Sequence, residues 1–446
     1  MDGRMDMRSS GRGTLAVIVL AILLALVLPT VAAGQPAPNA RPTGATVVAG
    51  SAAISTTSTN TLISQSSARA AINWQSFNLG SQQSVTFQQP SSSAVALVRV
   101  LGPDPSAIAG RITSNGQVVI VNASGLIIDQ GAILDDQSLV ITSANVSNPN
   151  FMSGNLVFDQ PGKANAAVKL QGTVTVHQAG LAALVAPLVT ESGTIAASQG
   201  HVDLLAARTE SVDLSGSGLA AVQATSSVQQ APIGANGKPA IALVSLTGHV
   251  TAVRGTVDVA GAAADGIVKN VVSVGGHTLA QHGAIAVAAA GGDALVSGGL
   301  GTQGGPGLTG GNIAVNATGT VHLTATARLN ASGPIGGGVI AVGTTIARAS
   351  GGPGTVSATT AQNTVVDSGA QLHADAVNKG TGGKVVLLST KVTNFAGAIT
   401  AKGGKHGGNG GTVEVSGATL GFKGSVDVSA PMGTMGTVLL DPKVFL

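Results

Sequence analysis

From Thr46 onward, apolar residues fall at alternate positions of short runs, the period of a strand with one face on a core. Ser84-Val85-Thr86-Phe87 puts Val85 and Phe87 on one face and Thr86 on the other. Gln117-Val118-Val119-Ile120-Val121 is apolar on both faces, the pattern of a strand buried between neighbours. Turn clusters separate the runs, among them Gly102-Pro103-Asp104-Pro105 and Ser147-Asn148-Pro149-Asn150. Convincing helical periodicity is confined to the N-terminus, with one minor helix expected around Ser66–Ala71. Residues 34–45, built of Gly, Pro, Asn, Arg and Thr among others, have no period and read as a linker.

The runs repeat. Gly-Thr-Val recurs at Gly172, Gly255, Gly319, Gly354, Gly411 and Gly436, with Gly193-Thr194-Ile195 as a near match. Gly255-Thr256-Val257-Asp258-Val259 is echoed by Gly424-Ser425-Val426-Asp427-Val428 and Gly200-His201-Val202-Asp203-Leu204. Intervals of 21, 62 and 64 residues between starts fit multiples of one coil, while those of 35, 57 and 25 do not, as inserted loops would cause. Burying one Val or Leu is worth roughly 1.5–3 kcal/mol, whereas fixing one backbone residue costs about 1–2 kcal/mol. With half its strand residues pointing inward, a lone coil cannot hold itself; stacked coils share both hydrogen bonds and core. The expected fold is all-β, a right-handed parallel β-helix, with a β-sandwich as the alternative.

Composition agrees. Of 446 residues 64 are Gly, aromatics are 2% and there is no Cys. Such a chain can fill a core one rung wide but lacks the Phe, Tyr and Trp of a thick one. Charged residues are 9%, against roughly 25% in average soluble proteins. No basic stripe with stacking aromatics is present, so nucleic acid is not an expected partner. At the N-terminus Arg4, Arg8 and Arg12 precede an apolar stretch from Leu15 to Leu28, then Pro29 and the small residues Val31-Ala32-Ala33. Residues 1–33 therefore read as a secretory signal peptide, the apolar run being shorter than the ~20 residues of a spanning helix.

Residues 45–154 resemble the N-terminal secretion domain of filamentous haemagglutinins, exoproteins of two-partner secretion. The resemblance is carried by Ile72-Asn73-Trp74-Gln75-Ser76-Phe77-Asn78-Leu79-Gly80, the run from Val85 to Leu97, Ile108-Ala109-Gly110-Arg111-Ile112 and Asn115–Asn122. It closes with Leu139–Ser147 and Phe151-Met152-Ser153-Gly154, and continues more loosely through Ala179–Pro187 and Gly436–Pro442. It implies an N-terminal capping secretion domain over 46–290, followed by glycine-rich solenoid repeats over 291–446, either a natural short form or a truncation. It also implies an outer-membrane pore partner with periplasmic docking domains, and a chain that crosses the pore unfolded. The family often carries Asn-Pro-Asn-Gly before an aliphatic residue. Here Asn122, Gly125 and Leu126 match while Ala123 and Ser124 depart, so a looser turn is expected. Val98 stands where a polar Asn is frequent. Docking by strand addition is expected to involve the strand Val85, Thr86, Phe87 and the turn 122–126.

Candidate chemistry changes this picture little. Gly305-Pro306-Gly307-Leu308-Thr309-Gly310 satisfies GxGxxG, but no helix is expected after it. His277 and His282 lack a third ligand and read as an exposed loop. Asp135-Asp136 reads as a solvated turn, and alternation puts Asp258 and Asp427 outside because the flanking valines go in. No catalytic, cofactor-binding or metal-ligating set is assigned. The expected function is a secreted or surface-exposed, non-enzymatic adhesin of a Gram-negative bacterium, its receptor unknown. Haem-carrier binding, contact-dependent growth inhibition and, from another class, a polysaccharide-active enzyme are the alternatives.

Overall fold

Stacking is what the alternation produces. In the computed structural model, which describes residues 35–214, 221–234, 236–351 and 360–446, strands of successive coils pair in parallel into one sheet of 24 strands and one of 14. The expected signal peptide and the Gly354 triplet lie outside the described residues. A typical rung runs Asn270–Val274, His277–Leu279, Ala284–Ala290, and pairs in parallel with Asp293–Val296, Gly299–Gly301 and Asn312–Ala317, with one register shift between Asn270 and Val272. Inward residues then align in ladders: Val202, Val257, Ile285, Ile313, Ile340, Val385 and Val413 lie in register on consecutive rungs, all fully buried. The result is the right-handed parallel β-helix expected from the sequence.

Glycine fixes a corner of this helix. An added Cβ at Gly200, Gly255, Gly283, Gly311, Gly338, Gly383, Gly411 or Gly436 would lie 2.0–2.2 Å from the carbonyl oxygen of the rung below, too close for any side chain. Gly172, Gly193, Gly248, Gly276 and Gly298 form a second ladder at another corner. This corrects the reading of the intervals. The 25 residues from Gly411 to Gly436 are one rung, whereas the 62 from Gly193 to Gly255 join two different corners.

The N-terminal end is closed. β1 (Thr46–Ala49), β2 (Ala52–Thr56), β3 (Asn60–Gln65) and β4 (Arg69–Trp74) open the chain; β1 pairs antiparallel with β4, and β2 with β3. The short helix expected around Ser66–Ala71 is absent: Ser66 and Ser67 turn the chain, and β4 pairs along its length with Val95–Val100, burying Ala70, Ile72 and Trp74. Parallel pairing overrides a weak local preference. Residues 37–43 are irregular yet tied down, with the Gly80 and Gln82 amides donating to Ala40 and Pro38, and Thr43 bridged to Ser76.

Additions sit on the outer face. The cluster Ser147–Asn150, expected as a turn, starts α1 (Asn148–Ser153), with Ser147 capping, Pro149 in the first turn and Gly154 closing it at φ +83°. A three-stranded antiparallel sheet follows, made of Val157–Phe158, Thr209–Val212 and Val222–Ser226. Phe151 and Phe158 pack with Val119, Val121 and Val140, which is why the strand Gln117–Asn122 is apolar on both faces. Farther on, α2 (Ile346–Gly351) covers Ala341 and Val386. No helix among the described residues is long and apolar enough to cross a membrane.

Candidate functional site

The turn at 122–126 follows the strand Gln117–Asn122 and leads into Gly125–Ile128. Asn122 is buried; its Nδ2 donates to the Asp104 carbonyl at 3.1 Å and to Ser106 Oγ at 2.9 Å, while its Oδ1 accepts from the Ser124 amide at 2.8 Å. The Ser124 hydroxyl donates to the Pro103 carbonyl at 2.6 Å, and the Lys163 amide to the Ala123 carbonyl. Ser124 thus ties the turn, which lacks Pro and Asn at 123 and 124, to the neighbouring loop. Gly125 sits at φ +101°, and a Cβ there would lie 2.2 Å from the Ala167 carbonyl oxygen, so only glycine fits. Leu126 is core.

Val85 and Phe87 point into the core and Thr86 outward, as alternation requires. However, β5 (Ser84–Gln88) is hydrogen-bonded to β3 on one side and to Arg111–Ser114 on the other. In the folded chain it has no free edge, so it cannot accept an added strand there. Among the described residues, edges are free instead at β1 and β2, each paired on one side only. The turn and β5 belong to different sheets, and the structure does not bring them together as one site.

Sequence reasoning missed the group that fixes α1 beside this region. Arg99, in the otherwise apolar strand Val95–Val100, is buried without a carboxylate. Its guanidinium donates to the side-chain oxygens of Asn145 at 2.7 Å, Asn73 at 3.1 Å and Asn148 at 2.8 Å, and to the Val146 carbonyl at 2.8 Å. The readable signal was one arginine in a buried run, which demands partners, with asparagines clustered at 145–150.

Carboxyls are placed unlike the sequence reading. Asp136 is not in a solvated turn: Asp135 and Asp136 lie in the strand Ile133–Asp136, and Asp136 is fully buried, which pushes its pKa up to about 8. Burial also raises Glu210, which accepts from the Thr142 hydroxyl, to about 8. It raises Glu191, which accepts from the Gly248 amide at 3.1 Å, to about 7. Asp258 does face outward, yet it stacks in register on buried Asp203, and burial raises both. Asp427 pairs with Lys402 at 3.0 Å, and hydrogen bonds from Ser429 hold its pKa down near 2. His277 begins a strand and stacks on His249 at 5.5 Å, while His282 occupies a left-handed corner at φ 55°. Gly305–Gly310 leads into a strand, not a helix, which removes the dinucleotide reading.

Comparison with known proteins places this geometry. The family described as TPS secretion domain matches residues 39–285, more than half of the chain. Two curated proteins, each a heme/hemopexin-binding protein of Haemophilus influenzae, are 36% identical over 126 and 114 residues, which are 28% and 26% of this chain. The matched stretches are only 14% and 12% of those proteins' length. The secretion domain of HMW1 from Haemophilus influenzae superposes with a TM-score of 0.72 at 25% identity, over 90% of this chain and all of that one.

Proposed function

The chain belongs to the family of TPS secretion domains and is thus a two-partner-secreted exoprotein with an outer-membrane transporter as partner; from that premise we propose that it acts at the cell surface as a non-enzymatic adhesin. Residues 46–290 serve as the secretion domain and 291–446 as the presented solenoid. The observation that carries the reading is continuity: the β-helix of the matched region runs on in register through 412–445. The absence of cysteine suits passage in extended form, since no disulfide forms before the pore.

In this reading the turn 122–126 is engaged during export. Asn122→Ala leaves the Asp104 carbonyl and Ser106 without their buried donor, a loss of roughly 1–3 kcal/mol; Gly125→Val drives a side chain into the Ala167 carbonyl. Both are expected to lower partner-dependent release into the medium without lowering synthesis, measured by immunoblot of medium, periplasm and cells. Unchanged release of both variants would remove the turn from the export step. Release independent of the partner would remove the export assignment. Attachment of cells displaying the chain, compared with cells lacking it, tests adhesion.

Haem-carrier binding is the second reading, favoured by the names of the two curated relatives. Saturable capture of hemopexin by the purified chain, without cell attachment, would put it first.

A further inference from the structure

Four residues hold a backbone conformation that side chains rarely adopt. Among the described residues, Ala179, Gln199, Arg254 and His282 are the non-glycine positions with positive φ, at 60°, 54°, 57° and 55°. They form one column, because each directly precedes a corner glycine: Gly180, Gly200, Gly255 or Gly283. Each donates its amide to the next rung, to the carbonyls of Ser198, Val253, Gln281 and Gln303 in turn, at 2.8–3.1 Å. Those bonds hold the strained conformation in place. On later rungs glycine stands before the corner, as Gly310, Gly337, Gly382 and Gly410. Glycine would relieve the strain at 199, 254 and 282 as well, yet these positions keep long polar side chains.

The same three side chains line a pocket of about 280 Å³, together with Gly305, Pro306 and Leu308 of the GxGxxG loop. Arg254 is exposed, and its guanidinium makes no ion pair or hydrogen bond with any described residue. No carboxylate lines the pocket, so this cation has no counter-ion there. The Gln178 amide nitrogen donates to Gln199 Oε1 at 3.0 Å, which leaves the Gln199 amide nitrogen as a donor. His282 Nδ1 meets the Thr309 carbonyl at 2.8 Å. A carbonyl only accepts, so the neutral ring carries its proton on Nδ1 and keeps Nε2 as an acceptor. Gln281 adds a neutral amide. One unpaired cation, neutral donors and acceptors around it, and a short apolar wall suit a molecule with one carboxylate and several hydroxyls. The volume lies at the small end for ligand pockets, which favours a small molecule over a polymer.

We propose that this pocket binds a small hydroxy acid, its carboxylate held by Arg254 and its hydroxyls by Gln199, Gln281 and His282. The guanidinium fork can donate to both carboxylate oxygens at once, which a lysine could not match. Pro306 and Leu308 supply contact for the carbon skeleton. The site is independent of the adhesin reading.

The test is a titration of sodium gluconate against the purified full chain, followed by saturation-transfer NMR. Sorbitol, the same carbon chain without the carboxylate, runs alongside. Gluconate is expected to saturate in the millimolar range, and sorbitol to bind at least about tenfold more weakly. Arg254→Gln should weaken gluconate by at least about tenfold. Lys405→Gln, which removes an exposed cation outside the pocket, should leave the affinity unchanged. Arg254→Gly should lose binding yet melt no lower than the unsubstituted chain, because glycine relieves the left-handed position; lost binding is then not lost folding. Absence of saturation, equal binding of sorbitol, an unaffected Arg254→Gln variant, or an equal loss in Lys405→Gln would each overturn the proposal. A lower melting temperature for Arg254→Gly would overturn it too, since the column would then not be strained.

Discussion

The N-terminal third of the β-helix and its glycine-rich C-terminal part share one rung geometry but hold it differently. Five of the six largest fully buried side chains, Trp74, Phe77, Phe87, Phe151 and Phe158, lie in the first third; Phe395 alone lies beyond. Trp74 and Phe77 meet edge to face at 5.4 Å, next to a cap of antiparallel strands and the buried Arg99 network. Past residue 290 the ladders are mostly Val, Ile, Leu and Ala, and the corner glycines Gly311, Gly338, Gly383, Gly411 and Gly436 each lean on the carbonyl of the glycine one rung below. A region with a cap and a thick core can close on itself. A region whose every rung needs the previous one as wall and template depends on its neighbours.

The dependence of one rung on the next is expected to show most strongly at the glycine ladder. In Gly311→Val the new Cβ would stand 2.1 Å from the Gly283 oxygen and 3.0 Å from its nitrogen, with backbone on both counts. The cost is expected to exceed about 4 kcal/mol and to propagate C-terminally. Limited proteolysis should leave an N-terminal fragment protected while the rungs beyond 311 are digested. Gly275→Ala, whose nearest contact is Ser297 Oγ at 3.3 Å, should change stability by under about 1 kcal/mol. Protection of the whole Gly311→Val chain would show that the C-terminal rungs do not depend on one another.

A smaller effect is expected at α2, where the C-terminal part borrows the N-terminal device of a buried charge. Arg348 makes a two-pronged contact with Glu414, at 2.6 and 3.2 Å, and both side chains are buried. Removing one partner strands the other, so Arg348→Met should cost roughly 3–5 kcal/mol, while Arg348→Met with Glu414→Leu should recover most of it. Urea denaturation of the two variants separates a stranded charge from lost packing, because only the former is rescued by the second substitution.

Much of this architecture was legible. Alternation located the strands, and the repeats Gly200–Leu204 and Gly255–Val259 lie in register on neighbouring rungs. What escaped were the relations between rungs. A period-2 pattern cannot say which corner a glycine occupies, so Gly193 and Gly255 looked like one series. Nor can it say what covers an outward side chain. Asp203 faces outward yet is buried, and Asp136 looked like half of a turn because Asp-Asp is a turn signal whenever burial is unknown. The turn 122–126 was legible as residues but not as geometry: the Ser124 hydroxyl donates to the Pro103 carbonyl, distant in sequence.

The two parts also differ in their acids. Asp136, Glu191, Glu210, Asp203 and Asp258, all before residue 260, are raised by burial, whereas beyond residue 290 Glu414 has Arg348 and Asp427 is lowered to about 2. A carboxyl raised in the folded state is protonated in both states below pH ~4, where it has no effect on stability. As pH climbs from 4 to 8 the unfolded chain gives up these protons while the folded chain keeps them, so stability falls across that window and levels off above it. Asp427 has the opposite sign: its contribution is present above pH 4 and lost as pH falls towards 2. Denaturant midpoints should therefore drop from pH 5 to pH 9. Asp136→Asn should flatten that drop, adding roughly 1–3 kcal/mol at pH 9 and almost nothing at pH 4. Near-ultraviolet circular dichroism reports the N-terminal part specifically, since Trp74 is the chain's one tryptophan. A midpoint from that signal that does not move with pH would mean that the buried acids keep their ordinary ionisation in the folded state.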